Sequence, residues 1–253
     1  LHKEYRRQRQ MCIRDSVWCA RLNPAEGEIR ELSGLLSPDE RSRAARFLFD
    51  RDRERFTVAR GILRRLLAGY TGLPADHLRF LYGEHGKPRL QHEEKTAPEF
   101  NLSHSGEWAV YSMALKYPLG IDIERMRPAD RTHRLKLARR FFSESEFTSL
   151  TAQPETRVED AFFACWARKE AYIKLHGLGL SLPLARFSVN VEPDEPARLT
   201  ATPWQPADLA LTQIHDLPAA TGYRAALALS MDRRPLISHF NWPTGLKGQM
   251  TSD

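Results

Sequence analysis

The sequence lacks several features that mark whole classes of protein. Its three cysteines (Cys12, Cys19 and Cys165) cannot all pair and show no metal-ligand spacing. Its longest apolar runs, such as residues 225–229, fall far short of the ~20 residues that a membrane helix needs, and no apolar stretch follows the charged N-terminus. It has neither a Gly-x-x-x-x-Gly-Lys-Ser/Thr loop nor a Rossmann glycine fingerprint. These absences predict a cytoplasmic protein without a disulfide framework or a familiar nucleotide-binding loop.

Charge is the feature present in excess. The 253 residues carry a formal net charge of +6, which suggests an acidic partner. Residues 1–15 hold five basic and two acidic residues, and they have no start methionine and no periodicity. Residues 1–16 are therefore interpreted as an artefact or a disordered tail. Residues 41–65 carry nine arginines against three acidic residues.

Capping signals and hydrophobic periodicity predict two long helices. Ser37-Pro38-Asp39-Glu40 forms a capping box, so a helix is predicted from there to about Ala68, with a break near Asp50. A second long helix is predicted over residues 155–176, and shorter ones over 132–141 and from 143. Strands are predicted at 17–22, 78–82, 100–102, 109–115, 119–124, 187–191, 210–214 and 223–230.

This order of elements predicts an α+β fold. Each half, residues 17–117 and 118–232, places a long helix before several strands. We expect two similar α/β halves, each a long helix packed on a small, mainly antiparallel sheet, forming a pseudo-dimer. Residues 233–253 are predicted to be a weakly structured tail. No internal sequence repeat is visible, so the duplication is a hypothesis.

Two acidic side chains share one face of a predicted strand in Gly120-Ile121-Asp122-Ile123-Glu124. Because side chains alternate along a strand, Asp122 and Glu124 point to the same side. Carboxylates this close favour a cation between them, and oxygen-only ligands favour Mg²⁺. The alternative is the solvated polar face of an edge strand.

A second motif lies on the second long helix, in Trp166-Ala-Arg-Lys169-Glu170-Ala-Tyr-Ile-Lys174. Glu170 and Lys174 are four residues apart and share a helix face. Taken alone they suit an ordinary surface ion pair, which stabilises a helix by about 0.2–0.5 kcal/mol. Trp166 is interpreted as a core residue.

The two motifs together resemble the signature of the 4′-phosphopantetheinyl transferase superfamily. Gly86-Lys87-Pro88, the run Phe-Asn-Leu-Ser-His-Ser-Gly at 100–106, Phe-Phe-Ser-Glu-Ser-Glu at 141–146 and residues 177–183 resemble its other motifs. The resemblance covers about residues 17–232. Its extent resembles the monomeric, two-half type similar to the surfactin-synthetase activator.

The resemblance implies a Mg²⁺-dependent transfer of phosphopantetheine from coenzyme A to a carrier-protein serine, as in a holo-[acyl-carrier-protein] synthase. It implies Asp122, Glu124 and Glu170 as metal ligands, with Mn²⁺ as a possible substitute. Glu170 would also act as the base and Lys174 would hold the pyrophosphate.

The resemblance also implies residues that contact coenzyme A: Arg43, Arg55, Lys87, Ser103, His104, Lys169 and Lys174. For Lys169, a role that supports the site through another residue is the alternative to a phosphate contact. The resemblance places Glu146 near the metal, although Ser143 and Glu146 also form a capping box, and both roles stay open. Glu40 stands where the family often has a basic residue, which leaves the register of the first-helix assignments open.

The implied partners are coenzyme A and an acidic apo acyl- or peptidyl-carrier protein, bound by a monomer that uses neither nucleic acid nor membrane. Fatty-acid, polyketide and nonribosomal-peptide carriers remain alternatives.

Two other functions are weighed. The basic segment 41–65 would suit a nucleic-acid-binding protein, and an inactive relative would bind a carrier without modifying it.

Overall fold

The computed structural model describes residues 15–91, 97–232 and 235–243. They divide into two compact units at Lys116 and Tyr117. Two segments group differently from the predicted division: residues 83–87 belong to unit 2, and residues 235–243 belong to unit 1. No helix within these ranges is long and apolar enough to cross a membrane.

In the described part of unit 1 there are three α-helices: α1 (Glu26–Gly34), α2 (Pro38–Ala44) and α3 (Asp50–Thr71). The predicted capping box and the predicted break before Asp50 are both confirmed. Helix α3 is followed by the cap residue Gly72, whose φ of 77° is in the left-handed region that favours glycine. Helix α1 was not predicted, because Ile29 and Leu32 are its only large apolar residues and give no clear period.

A four-stranded sheet forms the other layer of unit 1. It contains β1 (Ser16–Arg21), β4 (Glu99–Ser105), β5 (Trp108–Ala114) and β11 (Ser238–Asn241), in the order β11-β1-β5-β4. Strand β11 runs parallel to β1, and the other pairs are antiparallel. A separate hairpin joins β2 (Phe80–Tyr82) to β3 (Pro88–Leu90).

Two predictions about the chain ends need correction. Ser16 was assigned to an N-terminal artefact, but it begins β1 and pairs with Met113 and Ser238. The C-terminal tail was predicted to be weakly structured, but it contains β11, where Phe240 stacks on Trp18 at 4.5 Å. Residues 1–14 and 244–253, on which the rest of both predictions falls, lie outside the described residues.

Unit 2 contains a three-stranded antiparallel sheet of β6 (Leu119–Arg125), β10 (Tyr223–Ser230) and β9 (Thr212–Leu217), in that order. Strands β7 (Ser188–Val189) and β8 (Leu199–Ala201) form a small second pair. The helices are α4 (Arg131–Phe141), α5 (Glu144–Thr151), α6 (Glu155–His176) and α7 (Asp208–Leu211). The strand predicted from residue 210 begins only at Thr212, because α7 occupies the residues before it.

The two units repeat one arrangement. In the sheet of unit 1, β1 pairs with β5, and β5 pairs with β4. In the sheet of unit 2, β6 pairs with β10, and β10 pairs with β9 in the same way. The long helices α3 and α6 each have 22 residues and end on a left-handed glycine. The predicted α+β class with two similar halves is therefore confirmed.

Candidate active site

Gly120 allows helix α6 to lie directly on strand β6. A Cβ atom at this position would lie 2.2 Å from both the carbonyl oxygen of Ala171 and the amide nitrogen of Leu175. No other residue type fits so close a backbone approach. Gly120 had no role in the sequence-based prediction, although a glycine inside a strand pattern is itself a signal of such an approach.

This close packing brings Asp122 beneath the C-terminal part of α6. The carboxylate is 2% exposed, and the Lys174 ammonium donates to its Oδ1 at 2.6 Å. A buried carboxylate needs an opposite charge or hydrogen bonds, because desolvation disfavours its ionised form. The structure thus joins one residue of the strand motif to one residue of the helix motif.

Glu170 lies near the same two charges. Burial and, after it, the Asp122 carboxylate raise the pKa of Glu170, while the Lys174 ammonium acts in the opposite direction. Glu170 and Asp122 are therefore close enough to repel each other. Glu124 follows two residues after Asp122 on β6 and lies on the same face of the strand.

The donor set fits a hard divalent cation. It consists of carboxylate oxygens, and the repulsion between Asp122 and Glu170 is what a cation between them would relieve. In the described ranges, no three His, Cys, Asp or Glu side chains stand together in a ready metal-binding arrangement. The charge beside Asp122 in this structure comes from Lys174. Asp122 and Glu170 thus fit Mg²⁺ by the chemistry of their oxygen donors.

Lys169 has contacts that suit the supporting role, which the sequence offered as the alternative to a phosphate contact. Its side chain is fully buried, and its ammonium donates to both carboxylate oxygens of Glu146, at 2.6 and 2.7 Å, and to the carbonyl oxygen of Phe187 at 2.6 Å. An ammonium group has three protons, and these acceptors use all of them. This disagrees with the predicted contact between Lys169 and a phosphate of coenzyme A.

Glu146 has the structural role that its sequence pattern allowed. It completes the capping box with Ser143 at the start of α5, and it also accepts from the amide of Val189 at 2.8 Å. The capping-box prediction is confirmed, and the predicted role near a metal stays a prediction.

Together with the fully buried Arg168, which binds Asp216, Lys169 fixes the rotation of α6 about its axis. That rotation sets the direction of Glu170.

Lys87 contacts the end of α6. Its ammonium donates to the carbonyl oxygens of Leu119 at 2.9 Å and Leu175 at 3.0 Å, so it joins the start of β6 to the last turn of the helix. Gly177 leaves room for the Lys87 chain, since a Cβ atom there would lie 3.0 Å from Lys87 Cδ. The predicted contact of Lys87 with coenzyme A stays a prediction.

Four predicted coenzyme A contacts belong to unit 1. Arg43 is exposed on α2 with its guanidinium 5.5 Å from the Phe56 ring centre, and Arg55 on α3 lies 4.0 Å from Glu107. Ser103 and His104 are neighbours on edge strand β4, where Ser103 is buried and His104 is exposed. Successive strand residues point to opposite faces, so these two side chains diverge.

Glu40 is explained by packing within unit 1. It caps α2, and its carboxylate accepts from Arg60 at 2.7 Å and from Arg64 at 2.6 Å while only 1% exposed. An acid here satisfies two buried arginines, which a basic residue would repel. Glu40 therefore departs from the family pattern because its carboxylate neutralises two buried arginines of the same unit.

Comparison with known proteins identifies the family. The model of the 4′-phosphopantetheinyl transferase superfamily matches residues 118–228, and a model of the 4′-phosphopantetheinyl transferase N-terminal region matches residues 20–115. The 4′-phosphopantetheinyl transferase HetI of a Nostoc species is 37% identical over 76% of this chain and 81% of its own. The corresponding values for Sfp of Bacillus subtilis are 34%, 67% and 73%.

Solved structures give a fainter likeness. A holo-[acyl-carrier-protein] synthase of Helicobacter pylori, in complex with coenzyme A, is 21% identical over 44% of this chain and 99% of its own, with a TM-score of 0.34. The two family models and the long sequence matches to HetI and Sfp carry the assignment instead. The chain belongs to the 4′-phosphopantetheinyl transferase superfamily.

Proposed function

We propose that this chain transfers 4′-phosphopantetheine from coenzyme A to a serine of an apo acyl- or peptidyl-carrier protein and releases 3′,5′-ADP. Family membership establishes the reaction class. The observation that supports the site is the convergence of Asp122, Glu170 and Lys174 where Gly120 admits α6 against β6. This convergence supports placing the proposed chemistry on unit 2.

The reaction exchanges one phosphorus–oxygen bond for another. The serine oxygen bonds to the pantetheine-side phosphorus of coenzyme A, the pyrophosphate bridge breaks, and the serine proton must leave. Glu170 is proposed to take that proton, which agrees with the raised pKa of its carboxyl group. Lys174 is proposed to bind the pyrophosphate and stabilise the charge of the departing 3′,5′-ADP.

Asp122, Glu124 and Glu170 are proposed to hold Mg²⁺, with Mn²⁺ as a possible substitute. When bound, the cation would neutralise charge on the pyrophosphate as the bridge breaks. Arg43, Arg55, Lys87, Ser103 and His104 are proposed to contact coenzyme A. A cytoplasmic location and a monomeric state belong to the same proposal.

An acidic carrier would find a basic surface on unit 2. Helix α4 contains no acidic residue, and its exposed cations are Lys136, Arg139 and Arg140. Such a surface accelerates encounter with an acidic protein at low ionic strength. We propose no nucleic-acid role for segment 41–65, in which Arg60 and Arg64 are buried against Glu40 and so do not add to a basic surface.

The test is intact mass spectrometry of apo carrier proteins after incubation with this protein, coenzyme A and Mg²⁺. We expect a mass gain of one phosphopantetheine that EDTA abolishes, with fatty-acid, polyketide and peptide carriers compared in parallel. Asp122→Asn should slow transfer by about 100-fold or more. Asp194→Asn is the matched control, because this acid pairs with Arg157 at the surface.

The outcomes separate the alternatives. No transfer to any carrier by a folded protein would favour the inactive, carrier-binding relative. Full activity of Asp122→Asn would refute the metal assignment while leaving the transfer itself in place.

A further inference from the structure

One lysine bridges the two elements that carry the candidate site. The Lys87 ammonium donates to the carbonyl oxygen of Leu119, at the start of β6, and to that of Leu175, in the last turn of α6, at 2.9 and 3.0 Å. Both carbonyls belong to the contact that Gly120 makes possible, since Leu119 precedes this glycine and the backbone of Leu175 lies against it. Lys87 therefore fastens the helix to the strand at this close approach.

The last turn of α6 needs a partner of this kind. The final carbonyl groups of an α-helix have no amide partner within the helix, and they lie at the negative end of its dipole. In α6, the carbonyl oxygen of Ile173 accepts from the amide of Gly177 at 3.0 Å, and that of Leu175 accepts from Lys87. A cation at this position satisfies both the acceptor and the dipole. The last turn is thus held by a bond from outside the helix.

Lys174 lies in the same turn, directly before Leu175. Its ammonium crosses to β6 and donates to Asp122 at 2.6 Å. A lysine side chain has many rotamers, so the direction of its ammonium depends on how firmly the backbone that carries it is held. Since Lys87 and Lys174 join one helix turn to one strand, loss of the Lys87 bridge would leave that turn held by Lys174 alone.

We propose that Lys87 is a positioning residue, which fixes the last turn of α6 against β6 and so keeps Lys174 where it meets the pyrophosphate of coenzyme A. The inference rests on the proposed function, in which Lys174 binds that pyrophosphate. It is separate from the proposed contact between Lys87 and coenzyme A, which would act on coenzyme A binding and not on the position of Lys174. Lys87 therefore acts on the reaction through Lys174.

Transfer kinetics separate the two roles of Lys87. We expect Lys87→Met to lower kcat about 10-fold, because misplacing a group that contacts the reacting phosphates is costly, and to change KM for coenzyme A by less than about 2-fold. In a Lys174→Met background there is no ammonium to position, so Lys87→Met should lower kcat by less than about 2-fold more. Lys116→Met, at an exposed lysine outside the site, is the matched control and should behave like the parent.

Other outcomes would overturn the inference. A raised KM for coenzyme A with kcat retained would leave Lys87 as a contact of coenzyme A alone. An equal loss of kcat in the parent and Lys174→Met backgrounds would show that Lys87 does not act through Lys174. Lower thermal stability with unchanged kcat and KM would reduce Lys87 to a structural role. Lys87→Gln, whose amide keeps a donor but not the charge, gives the same measurements if Lys87→Met does not fold.

A histidine beside the bridge reports on it without any activity. Burial lowers the pKa of His176, the last residue of α6, while Asp208 opposes this effect and the Lys87 ammonium adds to it. NMR titration of the His176 imidazole should therefore show a higher pKa in Lys87→Met than in the parent, and the parent value in Lys116→Met. The parent value in Lys87→Met would mean that Lys87 lies away from the helix end in solution, and the inference would fail.

The proposed function can fail separately. If the parent transfers no phosphopantetheine to any carrier, the proposed function fails and this inference fails with it. If the parent transfers phosphopantetheine and Lys87→Met matches its kcat, the proposed function stands and the role of Lys87 alone is refuted.

Discussion

The long helices of the two units share a framework but differ in chemistry. Helices α3 and α6 begin at Asp50 and Glu155, 105 residues apart, and both run for 22 residues to a left-handed glycine. When the two helices are aligned with this offset of 105 residues, Arg64 corresponds to Lys169. Each of these side chains is fully buried and binds a capping-box glutamate, Glu40 or Glu146.

The offset also aligns each proposed site residue with one that cannot do its work. Glu170 corresponds to Arg65 and Lys174 to Gly69, and strand β1, which has the place of β6 in unit 1, contains no acidic residue. Unit 1 therefore keeps the buried charge pair but has no carboxylate at the three metal positions. The comparison teaches that the buried pair is part of the scaffold, and that the proposed chemistry uses residues of unit 2 that have no acidic or basic counterpart of the same kind in unit 1.

Replacing each of the aligned residues Glu170 and Arg65 by glutamine gives the largest expected difference in transfer rate. Glu170→Gln should lower the rate of phosphopantetheine transfer by about 10²–10⁴-fold, since it removes a proposed base that is also a proposed metal ligand. Arg65→Gln should change the rate by less than about 2-fold, because Arg65 pairs with the partly exposed Glu31. Transfer rates under saturating coenzyme A measure both. Comparable losses would show that unit 1 contributes to the chemistry.

The buried pairs differ in how many cations hold the acid. Lys169→Met leaves Glu146 buried without a cation, so we expect a loss of about 3–5 kcal/mol in the free energy of unfolding. Arg60→Met leaves Glu40 bound to Arg64, so about 1–3 kcal/mol is expected. Urea unfolding followed by circular dichroism measures both. Equal losses would contradict the view that the second arginine supports Glu40.

Elements with local signals were predictable from the sequence. Helix α6 has the predicted bounds because its periodicity is long and Gly177 follows its last turn. Strand β10 also has its predicted bounds, since five buried residues follow one another there. Strand β11 was missed, because its stability comes from pairing with β1 at the other end of the sequence. Such long-range pairing has no local signal.

The site was predictable in part for the same reason. The acids and the lysine of the candidate site lie in two local motifs: Asp122 and Glu124 are two residues apart, and Glu170 and Lys174 are four residues apart. The sequence also showed both Lys169 and the capping box of Glu146, but not that they meet, because the contact joins two separate helices. A lysine next to a proposed catalytic acid suggests a ligand contact, and only packing reveals that its side chain turns to the core.

The smallest expected contrast is in the pH dependence of stability. In metal-free buffer, the folded chain holds the Glu170 proton more tightly than the unfolded chain does, because burial and Asp122 raise the pKa of this group. The contribution of Glu170 to the free energy of unfolding should therefore fall as pH rises from the ordinary carboxyl pKa of about 4.3 through the raised value. Glutamine has no such proton, so Glu170→Gln should gain stability relative to the parent across that window.

Glu40 in unit 1 should behave with the opposite sign. Burial raises its pKa, but Arg60, the Ser37 amide and Arg64 together outweigh burial and lower the pKa below its ordinary value. Its stabilisation is thus present above the ordinary pKa and lost as pH falls through the lowered one. Urea unfolding of the parent and Glu170→Gln, from about pH 4 to pH 8, isolates the unit 2 contribution. A stability difference that does not change with pH would mean that Glu170 has the same proton affinity folded and unfolded, and the contrast between the two glutamates would disappear.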